Sequence, residues 1–285
     1  MRAFADLQFA GTRMMVRPSS RAQSYYSIAE PLQAMPPLVL HVLFWCMATI
    51  GLVAAAPAWS LDNQAQYQAC MTLLDRDPAG ALDSAVEWER QGGGDAARHC
   101  KALALIRTGD VEDGALELER VAQAMPQGQA PLAAELFAQA GQAWIKAGNP
   151  QRALYAQNQG LKLNPEDVQL LIDRAVTFGN SGMYFEALDD LNVAAELTPE
   201  DPEVYAMRAA AYRQLETPDL AEENIDRALK LSPSHPGALL ERGYLRREKG
   251  DAEGARADWL TIIQVMPGTD IAGEAQKNIE KLELQ

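Results

Sequence analysis

The chain has 285 residues, 48% of them apolar and 22% charged, enough to bury a sizeable core in one or two domains. Alanine, leucine, glutamate and glutamine outnumber valine, isoleucine, threonine and the aromatics, which favours helix over sheet. The formal net charge is −14, so nucleic acid and anionic lipid surfaces are excluded as partners of the body by repulsion.

Residues 1–60 read as an address. They hold four arginines (Arg2, Arg13, Arg17, Arg21) against two acids (Asp6, Glu30), leaving 21 basic and 37 acidic groups beyond, a net of −16. From Leu38 to Ala56 about nineteen residues are apolar except for His41, and the composition then turns polar. A secretory signal has this order: basic residues, an apolar stretch, then a small-residue cleavage site. Ala58 and Ser60 suit a cut before Leu61, and Ala56 and Ala58 suit one before Trp59. If neither cut is made, residues 38–56 are long enough to span a bilayer as an anchor. Small residues crowding the C-terminal end favour cleavage. The long stretch before the apolar run leaves Met14 or Met15 as alternative starts, whereas Met35 would strip away the basic residues. Cys46 sits in "LFWC", which lacks the small residues expected before a lipidated cysteine.

Export changes how the cysteines read. Beyond Ser60 only Cys70 and Cys100 remain, an even pair in an oxidising compartment. A single disulfide is the favoured reading over two buried thiols. Two cysteines are too few for a zinc site of the usual spacing.

The stretch "AAELTPEDPEV", residues 194–204, sets two prolines three residues apart among helix formers. Pro199 belongs to a series: Pro165, Pro199, Pro233 and Pro267 are each 34 residues apart. Ala153, Ala187, Ala221 and Ala255 keep the same step, as do Gly141, Ala175, Ala209 and Gly243. Three columns in one register mark internal repeats. Four units follow at 134–167, 168–201, 202–235 and 236–269, with the small residue at position 8, alanine at 20 and proline at 32. Position 11 holds Trp144, Phe178, Tyr212 and then Arg246; position 27 holds Gly160, Ala194, Ala228 and Ile262. Two less regular units, 62–94 and 95–128, precede them, followed by an insertion at 129–133, so residues 61–133 form two degenerate pairs. Residues 270–285 read as a final amphipathic capping helix with Asp270 as its cap.

The period of 34 with small residues and a late proline resembles the tetratricopeptide repeat, and with the signal-like segment it resembles an exported bacterial member of that family. The resemblance implies an all-α fold, a right-handed superhelical solenoid of antiparallel helix pairs, A and B, neither of which buries its apolar stripe alone. Asn149-Pro150, Thr217-Pro218 and Asp77-Pro78 each place a capping side chain before a proline at the first helical position, and Asp110 and Asp251 are caps without the proline. Pro202 opens the next A helix with Asp201 as its cap, and at Pro236 His235 replaces the capping aspartate.

No constellation for catalysis stands out, and no cofactor or metal is expected. His99 and His235 lack companions at metal-ligand spacing, and "QGGGDAARH", residues 91–99, lacks the lysine and strand context of a phosphate loop. The chain is therefore expected not to be an enzyme. The resemblance implies instead a protein or peptide partner on the concave surface lined by A helices, with membrane contact only if the N-terminal apolar segment stays. Carried over position by position, the face comprises Gln142 and Lys146, then Asp173, Val176 and Asn180, then Met207, Arg213 and Gln214. Glu241, Tyr244, Arg247 and Glu248 complete it. The carboxylate clamp of the chaperone-binding members is absent, since its positions hold Ala138, Ile172, Ala206, Leu240 and Gln142, Val176, Ala210, Tyr244. Cys70 and Cys100 fall on adjacent A helices at groove-facing positions, where a bridge would staple the two least regular units.

Overall fold

The computed structural model describes residues 59–284, with side chains from Asn63 onward. The apolar segment 38–56, Cys46, the alternative starts and the small residues Ala56 and Ala58 lie outside the described residues. Thirteen α-helices and one short 3-10 turn make up the described chain: α1 Trp59–Arg76, α2 Pro78–Arg90, α3 Gly94–Thr108, α4 Val111–Ala124, α5 Ala130–Lys146, α6 Pro150–Leu163, α7 Val168–Asn180, α8 Tyr184–Leu197, α9 Pro202–Gln214, α10 Pro218–Leu231, α11 Pro236–Glu248, α12 Ala252–Val265 and α13 Asp270–Glu283. Odd-numbered helices from α1 to α11 are A helices and even-numbered ones are B helices. Each B helix packs on its own A helix and on the next one, and α13 stands where a seventh A helix would. The result is an all-α solenoid. Among the described residues no helix is long and apolar enough to cross a membrane.

The helix starts follow capping chemistry. Asp77, Asn149, Asp167, Asp201 and Asp251 accept backbone N–H groups of their own first turns. His235 does the same through Nδ1, which accepts the Ala238 N–H at 3.3 Å. Three expectations are corrected. Thr217 turns its hydroxyl back to donate to the Tyr212 carbonyl, Asp110 makes no side-chain cap, and Thr269, not Asp270, caps α13. In the insertion at 129–133, Gln129 closes a 3-10 turn and the residues from Ala130 form the first turn of α5.

Each A helix from α3 to α11 ends on a left-handed residue that reverses the chain into its B helix. Gly109, Gly148, Gly182 and Gly250 supply it at no steric cost, with φ between 75° and 109°. Glu216 takes the same place with φ 56°, a conformation that costs a residue with a Cβ about 1–2 kcal/mol.

Close approach of A and B dictates the small columns. Ala153, Ala187, Ala221 and Ala255 are wholly buried, as are Ala175 and Ala209. Where position 24 carries a longer side chain, position 8 shrinks to glycine. A Cβ on Gly141 would lie 2.9 Å from Gln157 Cγ, and one on Gly243 would fall on the Trp259 indole nitrogen. Opposite the shorter Leu191 and Ile225 the column keeps alanine. The core is thus a series of adjoining clusters, ending in Leu240, Trp259, Ile271 and Ile279 under α13. At the other end Cys70 on α1 and Cys100 on α3 form a disulfide, with Cα atoms 6.5 Å apart. Both cysteines are buried against Ala85, not presented to a groove.

The glycine–tryptophan match generates a prediction. Gly243→Ala should destabilise the chain by about 1–3 kcal/mol through overpacking. Gly243→Ala combined with Trp259→Leu, which reproduces the Ala175–Leu191 pairing, should recover part of that loss. Urea denaturation of wild type and both variants measures this, and a double variant less stable than the single one contradicts the volume-matching account.

Candidate functional site

The A helices place most of the expected face residues at the seams between repeats. Gln142 on α5 donates through Nε2 to Asp173 Oδ2 on α7 at 2.9 Å, and Gln169 donates to Asp173 Oδ1 at the same distance. Asp173 is buried, and burial raises its pKa above the ordinary carboxylate value while the two amide hydrogen bonds pull it back in part. Lys146 reaches back to the Ile106 carbonyl at the end of α3, 3.3 Å away. Asn180 stands apart from these, and its buried Oδ1 has no hydrogen-bond partner among the described residues. Val176 and Met207 point into the core.

The densest arrangement joins α9, α11 and α13. Arg213 Nε donates to Glu241 Oε2 at 2.5 Å, and Glu241 is completely buried. Burial opposes the Arg213 charge, but the Glu241 carboxylate outweighs it and leaves the guanidinium pKa raised. Burial likewise raises the Glu241 pKa, against the pull of Arg213. The Arg213 guanidinium lies 4.5 Å from the Tyr244 ring centroid, and Arg247 lies 5.5 Å from the same ring and 6.0 Å from Trp259. The Tyr244 hydroxyl donates to Glu274 Oε1 at 3.2 Å and accepts from Asn278 Nδ2 at 3.0 Å. Burial raises its pKa, so it stays a neutral phenol.

The structure thus gathers Arg213, Tyr244 and Arg247 in one cluster and Gln142 with Asp173 in another. Lys146, Asn180 and Gln214 belong to neither. Arg247 has no carboxylate within 4 Å among the described residues, and Gln214, half-buried, makes no side-chain hydrogen bond there. Such a face offers hydrogen bonds and a cation; it offers no nucleophile–base pair. No group of three His, Cys, Asp or Glu side chains among the described residues is placed to hold a metal ion. His99, half-buried, bridges three A helices: its Nδ1 pairs with the Tyr67 hydroxyl at 2.8 Å and its Nε2 with Gln139 Oε1 at 2.9 Å. Burial lowers its pKa, which suits a neutral ring that accepts from the Tyr67 hydroxyl and donates to Gln139.

One recurring element escapes the proline and alanine columns. Arg174 makes a two-point ion pair with Asp190, and Arg242 makes the same pair with Asp258. Both run from position 7 of an A helix to position 23 of its B helix, sixteen residues on. Lys101 and Glu117 hold these positions in the second pair, 3.6 Å apart. In unit three both partners are lost together, as Ala140 and Ala156, and in unit five Arg208 faces Asn224. The signal was present in the sequence as a sixteen-residue spacing repeated every 34. A second ionic staple, Glu119 accepting from Trp144 Nε1 at 2.7 Å and Arg152 Nη2 at 2.6 Å, has no counterpart and no sequence signal. Beside the first ladder, between α6 and α8, lies an open depression of about 590 Å³ lined by Tyr155, Asn158, Lys162, Arg174, Asp190 and Val193.

The family model of the tetratricopeptide repeat matches residues 202–245, which cover α9, α10 and most of α11. Within that stretch the chain carries a tetratricopeptide repeat. Among curated proteins no sequence match is found. Solved tetratricopeptide-repeat structures share its fold. Pseudomonas aeruginosa PilF is 14% identical over 77% of this chain and 98% of its own, with a TM-score of 0.57. YrrB, described as having an unusual peptide-binding site, is 19% identical over 65% and 97%, with a TM-score of 0.52. Residues 41 to the end of MamA from Desulfovibrio magneticus RS-1 are 20% identical over 60% and 93%, with a TM-score of 0.52.

The buried Asp173 gives this repeat protein a pH-dependent seam. A carboxyl whose folded pKa exceeds its unfolded value of about 3.9 binds more protons when folded, so its contribution to stability falls as pH rises from about 4 through the raised value. Asp173→Asn mimics the protonated form and removes that loss. Relative to wild type the variant should gain stability between pH 4 and pH 7 in urea denaturation; a relative loss over that interval would mean that Asp173 is stabilised as an anion.

Proposed function

We propose that this chain is a non-enzymatic scaffold of the cell envelope that holds a protein or peptide partner along its A-helix face. The observation that carries the reading is the set of polar side chains on that face left wholly or partly unpaired: exposed Gln142 and Lys146, and half-buried Gln214 and Arg247. Asp173, Arg213 and Tyr244 shape the face from beneath through their bonds to neighbouring A helices. A rigid curved array of helices suits an extended chain or a partner helix, and display needs no chemistry. The peptide-binding site described for YrrB, a protein of the same fold, supports the reading by analogy alone.

Placement in the periplasm of a Gram-negative bacterium rests on the signal-like residues 38–60 and on the Cys70–Cys100 disulfide, which needs an oxidising compartment. A second reading keeps residues 38–56 as an inner-membrane anchor for an assembly factor of an envelope complex; their length and apolarity favour it.

Two measurements test this. Photo-cross-linking residues placed at Gln142, Gln214 and Arg247 should capture one protein partner in intact cells, while the same probe at Glu222 on a B helix should not. Capture confined to Glu222 would move the binding surface off the A helices. N-terminal sequencing of the mature protein should start at Trp59 or Leu61; a start before residue 38 selects the anchored form.

A further inference from the structure

Unit five keeps half of an ion pair. Arg208 occupies the place of Arg174 and Arg242, but Asn224 stands where Asp190 and Asp258 bind those arginines. Asn224 is buried and donates its amide to the Leu220 carbonyl at 2.8 Å, making no bond to Arg208. Arg208 has no carboxylate partner among the described residues, and its Nε is buried with no acceptor. A second arginine adjoins it. Arg227 and Arg208 both lie against the Tyr205 ring, 5.5 Å and 5.9 Å from its centroid. Arg227 bonds only the Pro199 carbonyl, which also accepts from the Tyr205 hydroxyl.

A buried donor without an acceptor is costly, and the contacts of Arg208 with the Tyr205 and Tyr212 rings, 5.9 Å and 6.0 Å from their centroids, leave its Nε unpaired. Arg208 therefore reads as half of a pair whose anion comes from outside. One unit earlier the equivalent Arg174 and Asp190 line an open depression between consecutive B helices, and by repeat register Arg208 stands at the corresponding place in unit five.

We propose that the junction of α8, α9 and α10 binds a single carboxylate, the side chain of an aspartate or glutamate on a partner protein. The carboxylate takes in unit five the role that Asp190 and Asp258 play within the chain, bonding Arg208, with Arg227 adding a second positive charge. Charge selects a carboxylate over a phosphate. By repeat register Asp189 and Glu196 stand where Tyr155 and Lys162 line the earlier depression, and the body is strongly acidic, so a doubly charged anion meets more repulsion. This surface involves B helices and does not depend on the A-helix face described above.

The test follows the Arg208 Nε–H resonance of the purified full-length protein, assigned by its loss in Arg208→Lys, during titration with sodium acetate at constant ionic strength in chloride. The expected result is a saturable shift in the millimolar range. In Asn224→Asp, which supplies the missing acid internally, the shift should disappear and the unfolding temperature should rise by a few degrees. A titration with inorganic phosphate runs beside it. Absence of a saturable acetate shift in the wild-type protein overturns the proposal, as does a stronger response to phosphate than to acetate. An undiminished acetate shift in a folded Asn224→Asp variant overturns it too; the wild-type titrations decide the matter should that variant fail to fold.

Discussion

Everything in this molecule depends on how closely helix A and helix B of each pair approach. Two helices separated by alanine and glycine columns can interdigitate their larger residues, and dispersion and apolar burial are gained only at that separation. The volume is shared across the pair: Trp259 occupies what Gly243 gives up, and Leu191 needs only the room that Ala175 leaves. At positions 8 and 24, sixteen residues apart, the side chain at one place sets the room left at the other.

That closeness also explains why charge appears inside the seam. Arginine at position 7 and aspartate at position 23 are forced together, and an ion pair survives partial burial only with good two-point geometry, as Arg174–Asp190 and Arg242–Asp258 have. Arg246 takes a place that aromatics hold in the other regular units and fills it by binding Asp258 as well, at 2.7 Å. The break in the aromatic column is thus compensated, because the guanidinium satisfies the same aspartate from one turn further along α11. The interaction between pairs is built differently. There single contacts such as Glu119 with Trp144 and Arg152, or Arg213 with Glu241, lock one repeat to the next without recurring. The pairs are uniform and the junctions individual, which lets a repetitive scaffold carry a non-repetitive surface.

The disulfide lies where the small columns are least regular. Gly114 stands in the alanine column of the second pair, with Ile106 and the Ala102 carbonyl pressed against it. The covalent link between α1 and α3 adds to that end a constraint that acts on the unfolded chain, whereas the other end closes through the apolar face of α13. The two ends of the solenoid are finished by different physics.

Period, helix pairing and most caps were legible in the sequence because each rests on local chemistry repeated at fixed spacing: a proline cannot continue a helix, an aspartate before a proline caps one, and an alanine column demands a close neighbour. Thr269 as the cap of α13, and the absorption of residues 130–133 into α5, were not legible, since neighbouring residues offered equivalent local choices and packing selected between them. The candidate site was legible only as a set of positions. Whether Arg213 faces solvent or Glu241, whether Tyr244 presents its hydroxyl or gives it to Asn278 and Glu274, and whether Arg208 finds an acid depend on side chains 16 to 34 residues away. The sequence by itself determined that this chain stacks helix pairs; tertiary structure alone decided which of its charges are spent within the stack and which remain for a partner, because pairing is settled by distance across helices and not by order along the chain.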